Sequence, residues 1–284
     1  MTDVTPTIGR ARLLIFWDYD SHWGAERSRL PGGPKDWGKL EEPCTDRLLE
    51  VHAQFEVPAC FAVVGSVALA GPASHAPAQI RRIHQHGHEV ASHSHRHEWL
   101  PALGRAALLE TLRSSKAALE DCIGHAVQAF VPPFNQPFDY FAGGSISVAE
   151  RREAGGTRTD LRRLCDALAE TGYRFCRVAY RPMTQRMAEW WTGARRDRPS
   201  RVESIRGVRC LRLNTGGGFD AAVVRMLDRC VELGGSVIAY GHPHSLHAGG
   251  SQDERWLLPF LERVNTHRRS GRLDVMLPAQ VMAE

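Results

Sequence analysis

The chain contains no CxxC pair. Its seven cysteines (Cys44, Cys60, Cys122, Cys165, Cys176, Cys210, Cys230) are scattered and odd in number. That usage argues against a disulfide framework and fits reduced thiols in the cytoplasm. A large excess of either charge is also lacking. Thirty-six Lys and Arg oppose 32 Asp and Glu, and a formal net charge of +4 is too mild to argue for a nucleic-acid partner. Long apolar runs are missing at the N-terminus, MTDVTPTIGRARLLIFWDYD, where five apolar residues (LLIFW) precede a charged cluster. No signal peptide or membrane helix can be built from it. There is no repeat of fixed period and no low-complexity segment. The 284 residues therefore read as one enzyme-sized cytoplasmic domain without a membrane partner, with monomer and homo-oligomer both open.

Short apolar runs alternate with helical patterns along the whole chain. Strands are expected in ARLLIFW (11–17), ACFAVVG (59–65), HEVAS, VQAFVPPF, RFCRVAY (174–180), VRCLRL, SVIAY and LDVML. Helices are expected from an N-cap at Thr45, in APAQIRRIHQHG up to Gly87, and over 104–123, 158–171, 219–233 and 253–268. About seven strand–helix units without a composition break predict an α/β fold, a single barrel-like domain over 1–284. One segment breaks the rhythm. Residues 181–206 hold Arg181, Arg186, Arg195, Arg196, Arg198, Arg201 and Arg206 around Trp190 and Trp191, and are too long and basic for an ordinary connection. They read as a basic surface loop, or as a lid for a phosphorylated or nucleotide-linked acetamido sugar, since guanidinium forks bind phosphate and indole faces stack on sugars.

What the sequence does have is histidine in one place. HEVASHSHRHEWL (88–100) carries His88, His93, His95 and His97. In a strand, His93, His95 and His97 would share a face; in a helical turn, His93 and His97 alone would. Either arrangement turns two imidazoles toward one ion, and imidazole suits zinc and its first-row neighbours. The bland alternative is a solvated loop. His84 and His86 sit at a helix end among arginines and read as surface residues. In parallel α/β folds the chemistry gathers at the carboxyl ends of strands. The first strand ends in Asp18-Tyr19-Asp20, VQAF ends in Val131-Pro132-Pro133-Phe134, and SVIAY ends in Gly241-His242-Pro243-His244. Each group alone has a polar-loop reading; four strand ends with matching chemistry argue for a site.

Order and spacing resemble the polysaccharide deacetylase (NodB-homology) family of metal-dependent carbohydrate N-deacetylases, over roughly residues 12–280. The resemblance implies a distorted (β/α) barrel. It makes Asp18 the general base and Asp20 a metal ligand, as in the family's aspartate pair. Its H-[ST]-x-x-H motif matches His93 to His97, making those two the other ligands and His95 a bystander. VPPF resembles the family's R-P-P-[YF] motif, with the Phe134 N–H at the oxyanion and Pro133 stiffening the turn. The late histidine motif makes His242 the acid, with His244 as its alternate beside the substrate. One divalent ion is implied, Zn2+ foremost, with Co2+, Ni2+, Mn2+ and Fe2+ as alternatives. The chain departs from the pattern in three ways. Val131 replaces the motif arginine, with Arg177 and Arg27 as candidate substitutes; no carboxylate is identified to tune the late histidine; and no export signal is seen. The resulting expectation is a hydrolase releasing acetate from an N-acetylated amino sugar, either a small or activated glycan precursor or an antibiotic-type intermediate. The alternatives are a cyclic-amide or ureide hydrolase and a non-catalytic carbohydrate-binding relative.

Overall fold

The computed structural model describes residues 10–28, 37–71, 75–135, 161–178, 191, 199–247 and 252–284. Its central strand is β1 (Ala11–Tyr19), buried along almost its whole length, as expected of a parallel strand covered on both faces. The remaining strands are β2 (Cys60–Val63), β3 (Glu89–Ser92), β4 (Ala129–Phe130), β5 (Phe175–Val178), β6 (Val202–Ile205), β7 (Val208–Arg212), β8 (Gly235–Gly241) and β9 (Leu273–Val275). The order is β6-β7-β5-β4-β3-β2-β1-β8, with β9 added to the start of β1. Among the described strands every pairing is parallel except β6 with β7. The helices are α1 (Ser21–Ser28), α2 (Trp37–Phe55), α3 (Pro77–Gln85), α4 (Arg105–Ile123), α5 (Leu161–Glu170), α6 (Ala221–Leu233), α7 (Glu254–Arg269) and α8 (Pro278–Ala283).

The sheet curls until its two ends meet. Ser200 and Ser236 exchange backbone hydrogen bonds of 2.7 and 2.9 Å. Beside them the Asn214 amide donates to Ser236 O at 2.9 Å and accepts from Ile238 N–H at 3.0 Å. A side-chain amide thus replaces a missing length of strand pairing, satisfying backbone groups that would otherwise be orphaned. Gly235 makes the seam possible: it has φ +94°, and a Cβ there would lie 2.5 Å from the Pro199 Cβ.

Alternation along β1 separates the two cores. Leu13, Ile15 and Trp17 face the helices. Leu14 and Phe16 face the barrel interior with Cys60, Ala62, Ala91, Ala129, Val131 and Phe175. The same parity carries Asp18 and Asp20 inward at the strand end. Many of the interior residues are small, which leaves room for one large polar side chain, Arg177 of β5.

The structure corrects several sequence expectations. Nine strands occur among the described residues: the eight expected are present and β6 is the addition. The stretch assigned to the basic insertion ends in β6, whose alternation carries too few apolar residues to register as a strand. β6 returns to β7 through Arg206 and Gly207, at φ +54° and +81°, a tight turn without the usual Asn-Gly signature. Residues 181–190 and 192–198, with Arg181, Arg186, Trp190, Arg195, Arg196 and Arg198, lie outside the described residues; Trp191 is 75% exposed. Helix α2 begins at Trp37, so Thr45 is no N-cap but a fully buried mid-helix residue. Pro43 lies inside that helix, where a proline ordinarily ends one, and its presence misplaced the expected start. His88 belongs to the core, where its Nδ1 accepts Ala59 N–H at 3.1 Å and burial holds it neutral, down to about 3. No helix among the described residues is long and apolar enough to cross a membrane.

Candidate metal centre and active site

β1 and β3 are two strands apart in the sheet with β2 between them, and their ends converge at one mouth of the barrel. Asp20 Oδ1 lies 3.3 Å from His93 Nε2 and 3.5 Å from His97 Nε2. All three side chains are buried. Asp20 Oδ1 has no hydrogen-bond partner, which is costly for a buried carboxylate oxygen. Two nitrogens and an oxygen around a tetrahedral zinc at about 2.0–2.1 Å stand about 3.4 Å apart, so these spacings fit a first-row divalent ion. The three form the only group of that kind among the described residues.

Each of these candidate ligands is aimed by its surroundings. His93 follows β3, and its Nδ1–H donates to Val131 O at 2.7 Å, which leaves Nε2 with its lone pair free. The next residues form neither strand nor helix. Ser94 and His97 take left-handed φ values of +61° and +55°, so the loop doubles back and sets the two imidazoles 5.0 Å apart at 67°. His95 does not join them. Burial disfavours the Asp20 carboxylate, but the imidazoles of His97, His93 and His242 outweigh it and hold its carboxyl well below the usual range. Burial pushes His97 down to about 4.

Asp18 is locked by Arg177. The guanidinium reaches across the interior to make a fork, Nη1 to Oδ1 at 2.9 Å and Nη2 to Oδ2 at 2.6 Å, between partners that are both buried. The rings of Phe16 and Tyr240 lie 5.1 and 4.8 Å from its central carbon and shield it from water. Burial opposes ionisation of Asp18, yet the Arg177 charge prevails and lowers its pKa. Arg177, one of the two expected substitutes for the missing motif arginine, is therefore the one that meets Asp18; the Arg27 side chain lies outside the described residues.

The late histidines occupy different environments. His242 is partly exposed, its Nε2 is 3.9 Å from Asp20 Oδ2, and its backbone N–H donates to Gln252 Oε1 at 2.5 Å. His244 is buried with Nδ1 3.1 Å from Glu41 Oε2, which also accepts Ser21 N–H at 2.9 Å. Burial disfavours the His244 cation, but the Glu41 carboxylate more than compensates and raises its pKa. The two rings are 5.3 Å apart. Glu41 is thus a carboxylate that meets the alternate histidine, His244, and not His242. It sits on α2, 203 residues from His244, and no spacing could have announced it. Phe134 adopts φ +58° after Pro132 and Pro133, and its ring packs 4.5 Å from His97 and 5.3 Å from Trp99.

Fold and site together define an α/β barrel with a carboxylate–histidine centre at one mouth. Residues 33–142 match the polysaccharide deacetylase family model, in agreement with the resemblance read from the motifs. Among solved structures, the chain is similar to a Mycobacterium smegmatis protein named for the polysaccharide deacetylases, at TM-score 0.67 and 16% identity, covering 98% of this chain and 91% of the other. It is also similar to a family 4 carbohydrate esterase from Streptomyces lividans in complex with acetate, at 0.50 and 13%, covering 95% and 94%. A third is a mutant Bacillus anthracis family 4 pseudoenzyme with restored enzymatic activity, at 0.50 and 12%, covering 96% and 68%. The fold is the curled, barrel-like α/β fold of these neighbours.

Proposed function

We propose that this chain is a single catalytic domain, a metal-dependent hydrolase that removes the N-acetyl group from an amino sugar and releases acetate. Its substrate class is a small or activated glycan precursor, or an antibiotic-type intermediate. The observation carrying this reading is the meeting of the Asp20–His93–His97 triad with a second buried carboxylate, Asp18, held ionised by Arg177. A divalent ion in the triad, zinc or Co2+, Ni2+, Mn2+ or Fe2+, supplies a Lewis acid and a more acidic water. Asp18 accepts the proton of the attacking water, with Arg177 fixing its orientation. Pro132 and Pro133 have no N–H, so Phe134 offers the first donor of that turn to the developing oxyanion, a contribution of ~3 kcal/mol. His242 protonates the departing amine, and His244 stands behind it on Glu41. All seven cysteines are free, which supports a cytoplasmic site of action.

Purified protein should hold about one divalent ion per chain. His93→Ala or His97→Ala should lose it. Acetate release from N-acetyl amino sugars should vanish on chelation and return with metal. Unchanged metal content in both variants sinks the site, and ring opening of a ureide without acetate release sinks the substrate class.

The two late histidines are separable by mutation. His242→Ala should slow turnover at least about 10²-fold, more than His244→Ala does. The reverse order, measured as kcat on the same substrate, exchanges their roles.

A further inference from the structure

The two histidine ligands of the proposed metal site are supported unequally. His93 is aimed by its own hydrogen bond to Val131 O at 2.7 Å. The buried Nδ1 of His97 has no hydrogen-bond partner, although metal-binding imidazoles are ordinarily oriented through that second nitrogen. Something else must hold His97 Nε2 at 3.5 Å from Asp20 Oδ1. Packing on the Phe134 ring contributes, but the backbone under His97 lies at φ +55°, as Ser94 does at +61°. Non-glycine residues visit this region sparsely, so the loop needs a restraint.

One carboxylate supplies it. Glu98 Oε2 accepts Ser94 Oγ–H at 2.6 Å and Arg96 N–H at 2.9 Å. Its other oxygen accepts Thr111 Oγ1–H from α4 at 2.8 Å. In return Ser94 Oγ accepts Glu98 N–H at 3.1 Å, and Thr111 Oγ1 accepts His95 N–H at 3.2 Å. The first half of the loop has further anchors, since Ser94 O and His95 O accept from Gly65 and Ser66 N–H at 2.9 Å each. The second half, Arg96 and His97, relies on Glu98.

We infer that Glu98 is a positioning residue for the metal, clasping the 94–98 loop so that His97 is presented to the ion without a hydrogen bond of its own. The inference rests on the metal reading proposed above. It predicts that the loss of Glu98 is felt in how the metal is held and not in whether the barrel folds.

The probe is Co2+, followed by equilibrium dialysis and by its d–d absorption, with circular dichroism and melting of the metal-free protein in parallel. Glu98→Ala should raise the Co2+ Kd by about 10–100-fold and alter the d–d bands, while the metal-free protein stays folded. Thr111→Val, which removes the donor to Oε1 and the acceptor for His95 N–H, should raise the Kd by a smaller factor in the same direction. It carries the test if Glu98→Ala does not fold. Parent-like Kd and spectrum in the folded variants overturn the clasp and leave the metal site standing. A parent protein that takes up no Co2+ overturns the metal reading and the clasp with it.

Discussion

Asp18→Asn is expected to lower turnover by about 10⁴-fold, the upper end of what a positioned base contributes, while the protein still binds its metal. The amide has the shape of the carboxylate but cannot take the proton of the attacking water. Asp20, His93 and His97 are untouched by the change, so metal content measured on the purified variant separates loss of the base from loss of the site. Turnover within tenfold of the parent would remove Asp18 from the mechanism. The variant should also be less stable. Arg177 would keep its charge while buried and lose its fork partner, and removing one member of a buried pair costs about 3–5 kcal/mol.

Arg177→Met should produce a comparable stability loss from the opposite side, about 3–5 kcal/mol at neutral pH, together with a shifted pH profile. In the parent, Asp18 has a pKa below its unfolded value. Its contribution is therefore present above the usual Asp range near 4 and lost as pH falls through the lower folded value. Without Arg177, only His93 and His242 oppose the burial of Asp18, and its pKa rises. The stability gap between parent and variant should then be widest at neutral pH and narrow as acid protonates Asp18. The acid limb of the activity profile should move to higher pH for the same reason. The double variant Asp18→Asn, Arg177→Met removes both charges and should melt above either single variant. Additive losses in that cycle would show that the pair is not coupled.

How much of this was readable before the fold depends on the kind of pattern involved. β1 was legible because a strand buried on both faces is a continuous apolar run, and its end was legible because two carboxylates follow at once. The His93–His97 spacing was legible as a candidate metal motif, but its conformation was not. Strand and helix periodicities both predict a regular face, whereas the loop uses two left-handed residues. Val131 showed that the motif arginine was missing, and Arg177 could be named only as one of two candidates. Glu41 left no mark at all, since Pro43 hid the first turns of its helix.

By itself the sequence determined the alternation of strands and helices, the inward parity that carries Asp18 and Asp20 into one mouth, and the residues fit to hold a metal. Local periodicity reports which face of an element is buried, and those features are local. The tertiary structure alone decided the pairings across the barrel: Arg177 with Asp18, Glu41 with His244, and Asn214 with the backbone of β8. Each joins residues 22 to 203 positions apart. Their contact depends on strand order, on the depth each side chain reaches, and on small interior residues such as Ala62, Ala91 and Ala129 that leave room for a guanidinium. Only closure of the sheet sets those three quantities together.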